Sequence, residues 1–237
     1  MANKKRPVEK SEVGEAPHKL GELFYGLDLD EEQKQFRDAI WNPDVDIVFC
    51  NSVAGTGKST VAIGTANLLV KYGRYKKIVY MVSPVQEERI GYRPGETEKK
   101  LAPYFAPLYD LAPTFDINPY TDINVCSDDP LEETTGYIDC VSNIFLRGRN
   151  IKADTVLILD EAQNCYKDEL RTILTRIPDG AKVIVIGHTG QCDLYHHPEN
   201  SGFAPYIRHF QDKDRCVICE LKNNHRGWVS QWADKLQ

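Results

Sequence analysis

The sequence predicts an α/β domain built on a doubly wound, mostly parallel sheet with helices on both faces. Three observations carry this. Strand and helix patterns alternate through most of the 237 residues, the arrangement that stacks strand–helix–strand units into one sheet. Val156-Leu157-Ile158-Leu159 is apolar at every position, as expected of a strand buried on both faces. A second apolar run, Asp46-Ile47-Val48-Phe49-Cys50, leads through a glycine-containing turn straight into a helical pattern.

Composition sets the outer bounds. A hydrophobic share of 41% and a charged share of 27% are ordinary for a soluble globular domain. No apolar run approaches the ~18 residues of a membrane helix, so no membrane partner is expected. The N-terminus carries Lys4, Lys5 and Arg6 without an apolar segment after them, which is not a signal peptide; a cytoplasmic protein is expected. Seven cysteines, an odd and scattered set, read as reduced thiols and not as a disulfide framework. The net charge of −6 argues against a domain that is basic overall, as nucleic-acid binders commonly are.

Residues 1–26 mix charge, Pro and Gly and read as a flexible arm ahead of one domain, 27–237. Asp28-Leu29-Asp30 gives an N-cap signal ahead of a helix over 31–41, with Phe36, Ala39 and Ile40 at helical spacing and Asn42-Pro43 as its stop. After the 46–50 strand and the helix that follows, 76–82 reads as another strand. Residues 87–136 hold Pro94, Pro103, Pro107, Pro113, Pro119 and Pro130, which argue against regular core strands. We expect an insertion packed on the side of the sheet, with a broken helix over 96–111. Strands are then expected at 136–141, 156–159, 181–186 and 215–221, and helices at 167–177, 201–210 and 228–236. Cys216 and Cys219 fall on opposite faces of the last strand, which disfavours a metal pair. His196 and His197 are adjacent in the chain and diverge in most backbone conformations.

The chemistry centres on Ser52-Val53-Ala54-Gly55-Thr56-Gly57-Lys58-Ser59-Thr60, a strand–glycine turn–Gly-Lys-Ser–helix context that cradles phosphates. The two glycines let backbone N–H groups curl inward, and the helix start adds its positive dipole end. Lys58 is placed to reach the β- and γ-phosphates and the Ser59 hydroxyl to ligate Mg²⁺. Ser52 stands where this pattern wants glycine, and fits only if its φ is negative. The second acidic signal, Asp160-Glu161, follows a buried strand: Asp160 is placed for the Mg²⁺ shell and Glu161 to activate water. Gln191, in the loop after the 181–186 strand, is placed to bridge to the γ-phosphate or its water. Arg226 is a candidate arginine finger, acting in cis or on a neighbouring subunit. Gln33 carries both a donor and an acceptor that can read adenine, although a surface-helix glutamine commonly does nothing. Arg147 and Arg149 flank Gly148 and offer planar donors to a phosphate backbone; from that hexapeptide alone an exposed loop with two solvated charges is the simpler reading.

Taken together, Ala54-Gly55-Thr56-Gly57-Lys58 and Asp160-Glu161-Ala162-Gln163-Asn164 resemble the PhoH family of ATPases, relatives of the superfamily-1 helicase motor domain. Gly91-Tyr92-Arg93-Pro94-Gly95-Glu96, Pro103-Tyr104 and Pro107-Leu108-Tyr109-Asp110 are similar to that family's proline-rich insertion. Phe145-Leu146-Arg147-Gly148-Arg149 resembles its Arg-Gly-Arg segment, Leu174-Thr175-Arg176 its Leu-Thr-Arg, and Gln33 with Phe36 its adenine-reading helix. Three features depart: Ser52 replaces the first loop glycine, His188 replaces the acidic residue of a Gly-Asp-x-x-Gln-x-Asp pattern, and Leu221-Lys222-Asn223-Asn224-His225-Arg226 is closer to the helicase Leu-x-x-Asn-Tyr-Arg motif than to the family's usual Arg-His.

The resemblance implies a single RecA-like domain that hydrolyses ATP with Mg²⁺ and is directed to RNA or another single-stranded nucleic acid. It also implies a homo-oligomeric ring, with a hexamer among the forms, in which Arg226 would act across a subunit boundary. The competing reading is an ATP-binding switch that turns over slowly and regulates a protein partner. A small-molecule kinase is disfavoured, because no arginine-rich lid follows the core.

Overall fold

The computed structural model of the protein describes residues 16–21, 24–83, 102–125, 135–142, 151–192, 194 and 198–233. Among these, strands β1 (Ile47–Ser52), β2 (Lys77–Val82), β3 (Ile123–Val125), β4 (Ile138–Ser142), β5 (Thr155–Asp160), β6 (Lys182–Gly187) and β7 (Cys216–Leu221) form one sheet in the order β3-β4-β2-β5-β6-β1-β7. Every neighbouring pair is parallel. The helices are α1 (Glu31–Trp41), α2 (Lys58–Lys71), α3 (Ala106–Leu111), α4 (Lys167–Leu174), α5 (Phe203–Phe210) and α6 (Trp228–Ala233).

The alternation of side chains along the central strands divides the apolar interior in two. Val48, Cys50, Val156 and Ile158 face one core, shared with Phe36 and Ile40 of α1, Val61 and Leu69 of α2 and Leu108 of α3. Ile47, Phe49, Leu157 and Leu159 face the other, shared with Leu170 and Ile173 of α4 and Phe203 of α5. This is why the 156–159 run needs no polar position: both of its faces are covered. Cys219 and Cys216 fall in different cores, as their spacing predicts.

Local signals set the helix ends. Asp30 caps α1, accepting from Gln33 N–H while the Gln33 side chain accepts from Asp30 N–H, a reciprocal capping box. α4 ends at Leu174, three residues before the predicted 177, with Thr175 N–H bonded back to Arg171 and Pro178 following.

Two expectations are corrected. The proline-rich stretch does contain a strand: β3 pairs with β4 at the sheet edge, where a short strand tolerates nearby prolines. Its broken helix is present over the described part, as a 3₁₀ turn (Ala102–Phe105) running into α3. The segment read as an arm, for its part, joins the domain over its last described residues. Phe24 is buried and meets Phe115 edge-on at 6.0 Å, Trp41 donates to the Pro17 carbonyl, and Arg37 donates to the Gly21 carbonyl. Burial of one large aromatic ring outweighs the polar composition around it.

Candidate functional site

The strand ends β1, β6 and β5 lie side by side, and their carboxyl-end loops converge, as they do in open α/β sheets. The turn between β1 and α2 wraps around the N-terminus of α2. Gly55 and Gly57 both sit at φ 81°, a left-handed conformation that side chains disfavour. A Cβ at Gly57 would lie 2.7 Å from Gln33 Nε2, and one at Gly55 would lie 2.5 Å from Asn224 Oδ1. Glycine is required at both.

Behind the turn, three residues shape it without lining the cleft. Ser52 lies in extended β1, outside the left-handed region, and its Oγ accepts the Leu221 N–H of β7 at 2.8 Å. Thr56 Oγ1 donates to the Val53 carbonyl, and the Thr56 carbonyl accepts from Gln33 Nε2 at 2.9 Å. In front lies an open cleft of about 640 Å³. Ala54, Gly55, Gly57, Lys58, Ser59 and Thr60 line it, together with Glu161 and Gln191. Leu27, Asp28, Leu29 and Gln33, then Pro107, Asp110 and Leu111 of the insertion, and His225 and Arg226 also line it.

Ser59 Oγ donates to Asp160 Oδ2 at 2.9 Å across 101 residues of sequence. The Tyr80 hydroxyl donates to the same oxygen at 2.7 Å, and Asp160 Oδ1 accepts the Glu161 N–H at 2.8 Å. Burial, then the adjacent Asp160 carboxylate, pushes the Tyr80 phenol well above its ordinary range, so the phenol keeps its proton and stays a hydrogen-bond donor at physiological pH. Two hard oxygen donors side by side, Ser59 Oγ and Asp160, suit a small divalent cation that takes its other ligands from phosphate and water.

Glu161 is held at φ 52°, a left-handed position that a non-glycine residue adopts at a cost of about 1–3 kcal/mol. The turn aims its carboxylate into the cleft, where Gln163 Nε2 donates to Glu161 Oε2 at 2.5 Å. Gln163 Oε1 in turn accepts the His188 N–H at 3.0 Å, so one buried amide links the loops after β5 and β6. His188 Nδ1 is enclosed and has no hydrogen-bond partner among the described residues.

The segment after β7 crosses over the glycine turn. His225 N–H donates to the Gly55 carbonyl at 2.8 Å, and the Arg226 stem lies against Gly55. Asn223 and the His225 ring both bond Asp30 Oδ2 at 3.0 Å, and Lys222 N–H donates to Glu32 Oε2. Burial raises the Asp30 carboxyl, but the hydrogen bonds from Gln33, Asn223 and His225 outweigh it and hold the group below its usual range. Arg226 therefore reaches the cleft of its own chain.

A family model for PhoH-like proteins matches residues 28–232. The chain belongs to the PhoH-like family. Protein PhoH2 of Bacillus subtilis (strain 168) is 31% identical over 212 residues, covering 86% of this chain and 46% of that protein. A PhoH-like protein of Mycobacterium tuberculosis (strain ATCC 25618 / H37Rv) is 33% identical over 191 residues, 80% of this chain and 51% of the relative. The chain thus spans about half the length of these curated relatives. Among solved structures, the UvsW helicase from bacteriophage T4 superposes with a TM-score of 0.53 at 11% identity, covering 83% of this chain and 61% of that one. The large terminase of a thermophilic bacteriophage gives 0.53 at 10%, covering 89% and 51%. At such identities these two report a shared fold.

Within this PhoH-like domain, Gln33, Ala54, Gly55, Gly57, Lys58, Ser59, Thr60, Glu161, Gln191 and Arg226 all meet at one cleft, with Asp160 directly beneath it. Ser52, Val53 and Thr56 support it from behind. Arg147 and Arg149 lie outside the described residues. Gln33 already bonds Thr56 and Asp30, which leaves one amide N–H and one lone pair for a ligand. Sequence reasoning passed over Tyr80, which sits in an apolar strand run, and the clamping role of Gln163. It also assigned no site residue to the insertion. The hydroxyl inside an otherwise apolar strand was the one signal that pointed to Tyr80.

Proposed function

We propose that this PhoH-like chain binds ATP with Mg²⁺ in the cleft above β1, β6 and β5, hydrolyses it, and couples turnover to RNA or another single-stranded nucleic acid. The observation that carries the reading is the Ser59–Asp160 contact at 2.9 Å, directly below a glycine turn that opens a helix and beside the Glu161 carboxylate. The backbone N–H groups of 54–59 and the α2 N-terminus would receive the phosphates, with Lys58 balancing their charge. Ser59 and Asp160 would hold the Mg²⁺, which when bound supplies charge neutralisation at the phosphate oxygens. Glu161 takes the proton of the attacking water, Gln191 orients that water, and Arg226 contacts the γ-phosphate from within the same chain.

Support for a nucleic-acid partner comes from two directions. The family resemblance implies an RNA-directed role. Trp228, 72% exposed on α6 just after Arg226, also presents an aromatic ring of the kind on which bases stack. Self-association into a ring is part of the proposal, although the position of Arg226 on its own glycine turn removes the need for a neighbour to deliver it. Light scattering with ATP and Mg²⁺ present tests it, and a monomer contradicts it.

His188 favours a second reading. It stands where the family pattern has an acidic residue, with Nδ1 enclosed and unpartnered among the described residues. A weakened γ-phosphate sensor would make the domain an ATP-binding switch acting on a protein partner. ATP turnover with and without single-stranded RNA, with Lys58→Ala as the blank, separates the two. Severalfold stimulation that vanishes in the blank supports the coupled ATPase. Tight ATP binding without turnover supports the switch.

A further inference from the structure

We infer that Tyr80 is a positioning residue that fixes the Asp160 carboxylate for the metal ion of the proposed reaction. The inference rests on the reading of Ser59 and Asp160 as the metal-holding pair. β2 runs Ile78-Val79-Tyr80-Met81-Val82, and a hydroxyl in such a strand is expensive to bury unless it is bonded. The ladder explains how it finds its partner. Val82 pairs with Asp160 and Tyr80 with Ile158, so Tyr80 and Asp160 share one sheet face, diagonal to each other by a two-residue step. At ~3.3 Å per residue that step is about 6.6 Å, the reach of a phenol laid along the strand.

The consequence is a carboxylate with no rotational freedom. Asp160 is buried at 2% exposure, and a carboxylate offers about four lone-pair sites. Tyr80 and Ser59 take two on Oδ2, and Glu161 N–H takes one on Oδ1. Among the described residues nothing takes the second lone pair of Oδ1, which would be left for the metal's hydration shell. The ring that carries the hydroxyl is pinned in turn by Phe105, edge-on at 6.4 Å, from the same insertion whose Pro107, Asp110 and Leu111 wall the cleft. Without the hydroxyl, Oδ2 keeps Ser59 alone, and Ser59 is itself a metal ligand in the proposed complex.

Tyr80→Phe tests this, since it deletes one oxygen and keeps the ring. Binding of a fluorescent ATP analogue is titrated in EDTA and across a Mg²⁺ series, alongside thermal unfolding. The expected result is unchanged affinity in EDTA and a Mg²⁺ midpoint raised about five- to tenfold. An unchanged midpoint, or an equal loss with and without Mg²⁺, overturns the inference. Wild-type protein that binds the analogue without any Mg²⁺ response overturns the metal-site reading itself, and the inference with it. Should Tyr80→Phe fold poorly, Phe105→Leu loosens the ring while keeping the hydroxyl. A smaller rise in the midpoint is then expected, and no rise counts against the inference.

Discussion

Gln163 holds the Glu161 carboxylate at 2.5 Å and ties it to the backbone of His188, so one amide bridges the loops after β5 and β6. Glu161 sits in a strained left-handed turn, and the amide of Gln163 is what keeps its side chain from relaxing away from the cleft.

Replacing Gln163 with Ala is therefore expected to act on turnover and spare binding. A hydrogen bond to a charged group contributes about 1.5–3 kcal/mol, which is roughly 10–100-fold in rate. Steady-state ATP hydrolysis should show kcat lowered by that factor with KM changed less than about threefold. A selective rise in KM would mean that Gln163 serves nucleotide binding instead.

Packing accounts for Ser52. Its Oγ accepts the Leu221 N–H and joins β1 to the edge strand β7, which carries the Asn223–Arg226 segment. Ser52→Ala should cost about 1 kcal/mol in a urea unfolding series, without altering the cleft. Ser52→Gly, which restores the family's glycine, should destabilise at least as much and leave turnover per folded molecule unchanged, because position 52 is not left-handed here.

Lys182 gives a pH signature. It is fully buried at the start of β6, with Nζ donating to the Asn42 and Val45 carbonyls. Burial first, then Arg74, lowers its pKa from 10.5 to about 8, against smaller opposing effects of Asp46 and Asp44. Between about 8 and 10.5 the unfolded chain holds a proton that the folded chain has lost, so stability rises with pH across that window. Relative to Lys182→Met, wild type should gain on the order of 2–3 kcal/mol from about pH 8 to about pH 10.5. A difference that stays flat would show that Lys182 is charged in the folded protein.

The legible parts of this molecule were those whose signals are local. Ala54-Gly55-Thr56-Gly57-Lys58 carries its geometry in adjacent residues, because the two left-handed positions must be glycine and the helix start follows at once. The all-apolar 156–159 run announced a strand covered on both faces, and Asp28-Leu29-Asp30 announced a helix start. Contacts between distant residues were not legible. Ser52 meets Leu221, and Tyr80 meets Asp160, only once the strand order is known, since β2 and β5 pair across most of the insertion. β3 was missed because a three-residue edge strand leaves almost no periodic trace among prolines. The packing of Phe24 was missed because a single aromatic residue decided against its polar surroundings.

Glu161→Gln tests the central claim most directly. Phosphate release and equilibrium ATP binding are measured side by side in wild type and in this variant, with Mg²⁺ present. If Glu161 activates water in a P-loop site, wild type releases phosphate. The variant should then bind ATP within about threefold of wild type while releasing phosphate at least about 100-fold more slowly, as loss of a catalytic base requires. Equal phosphate release by the two proteins, or no ATP binding by either, would contradict the account.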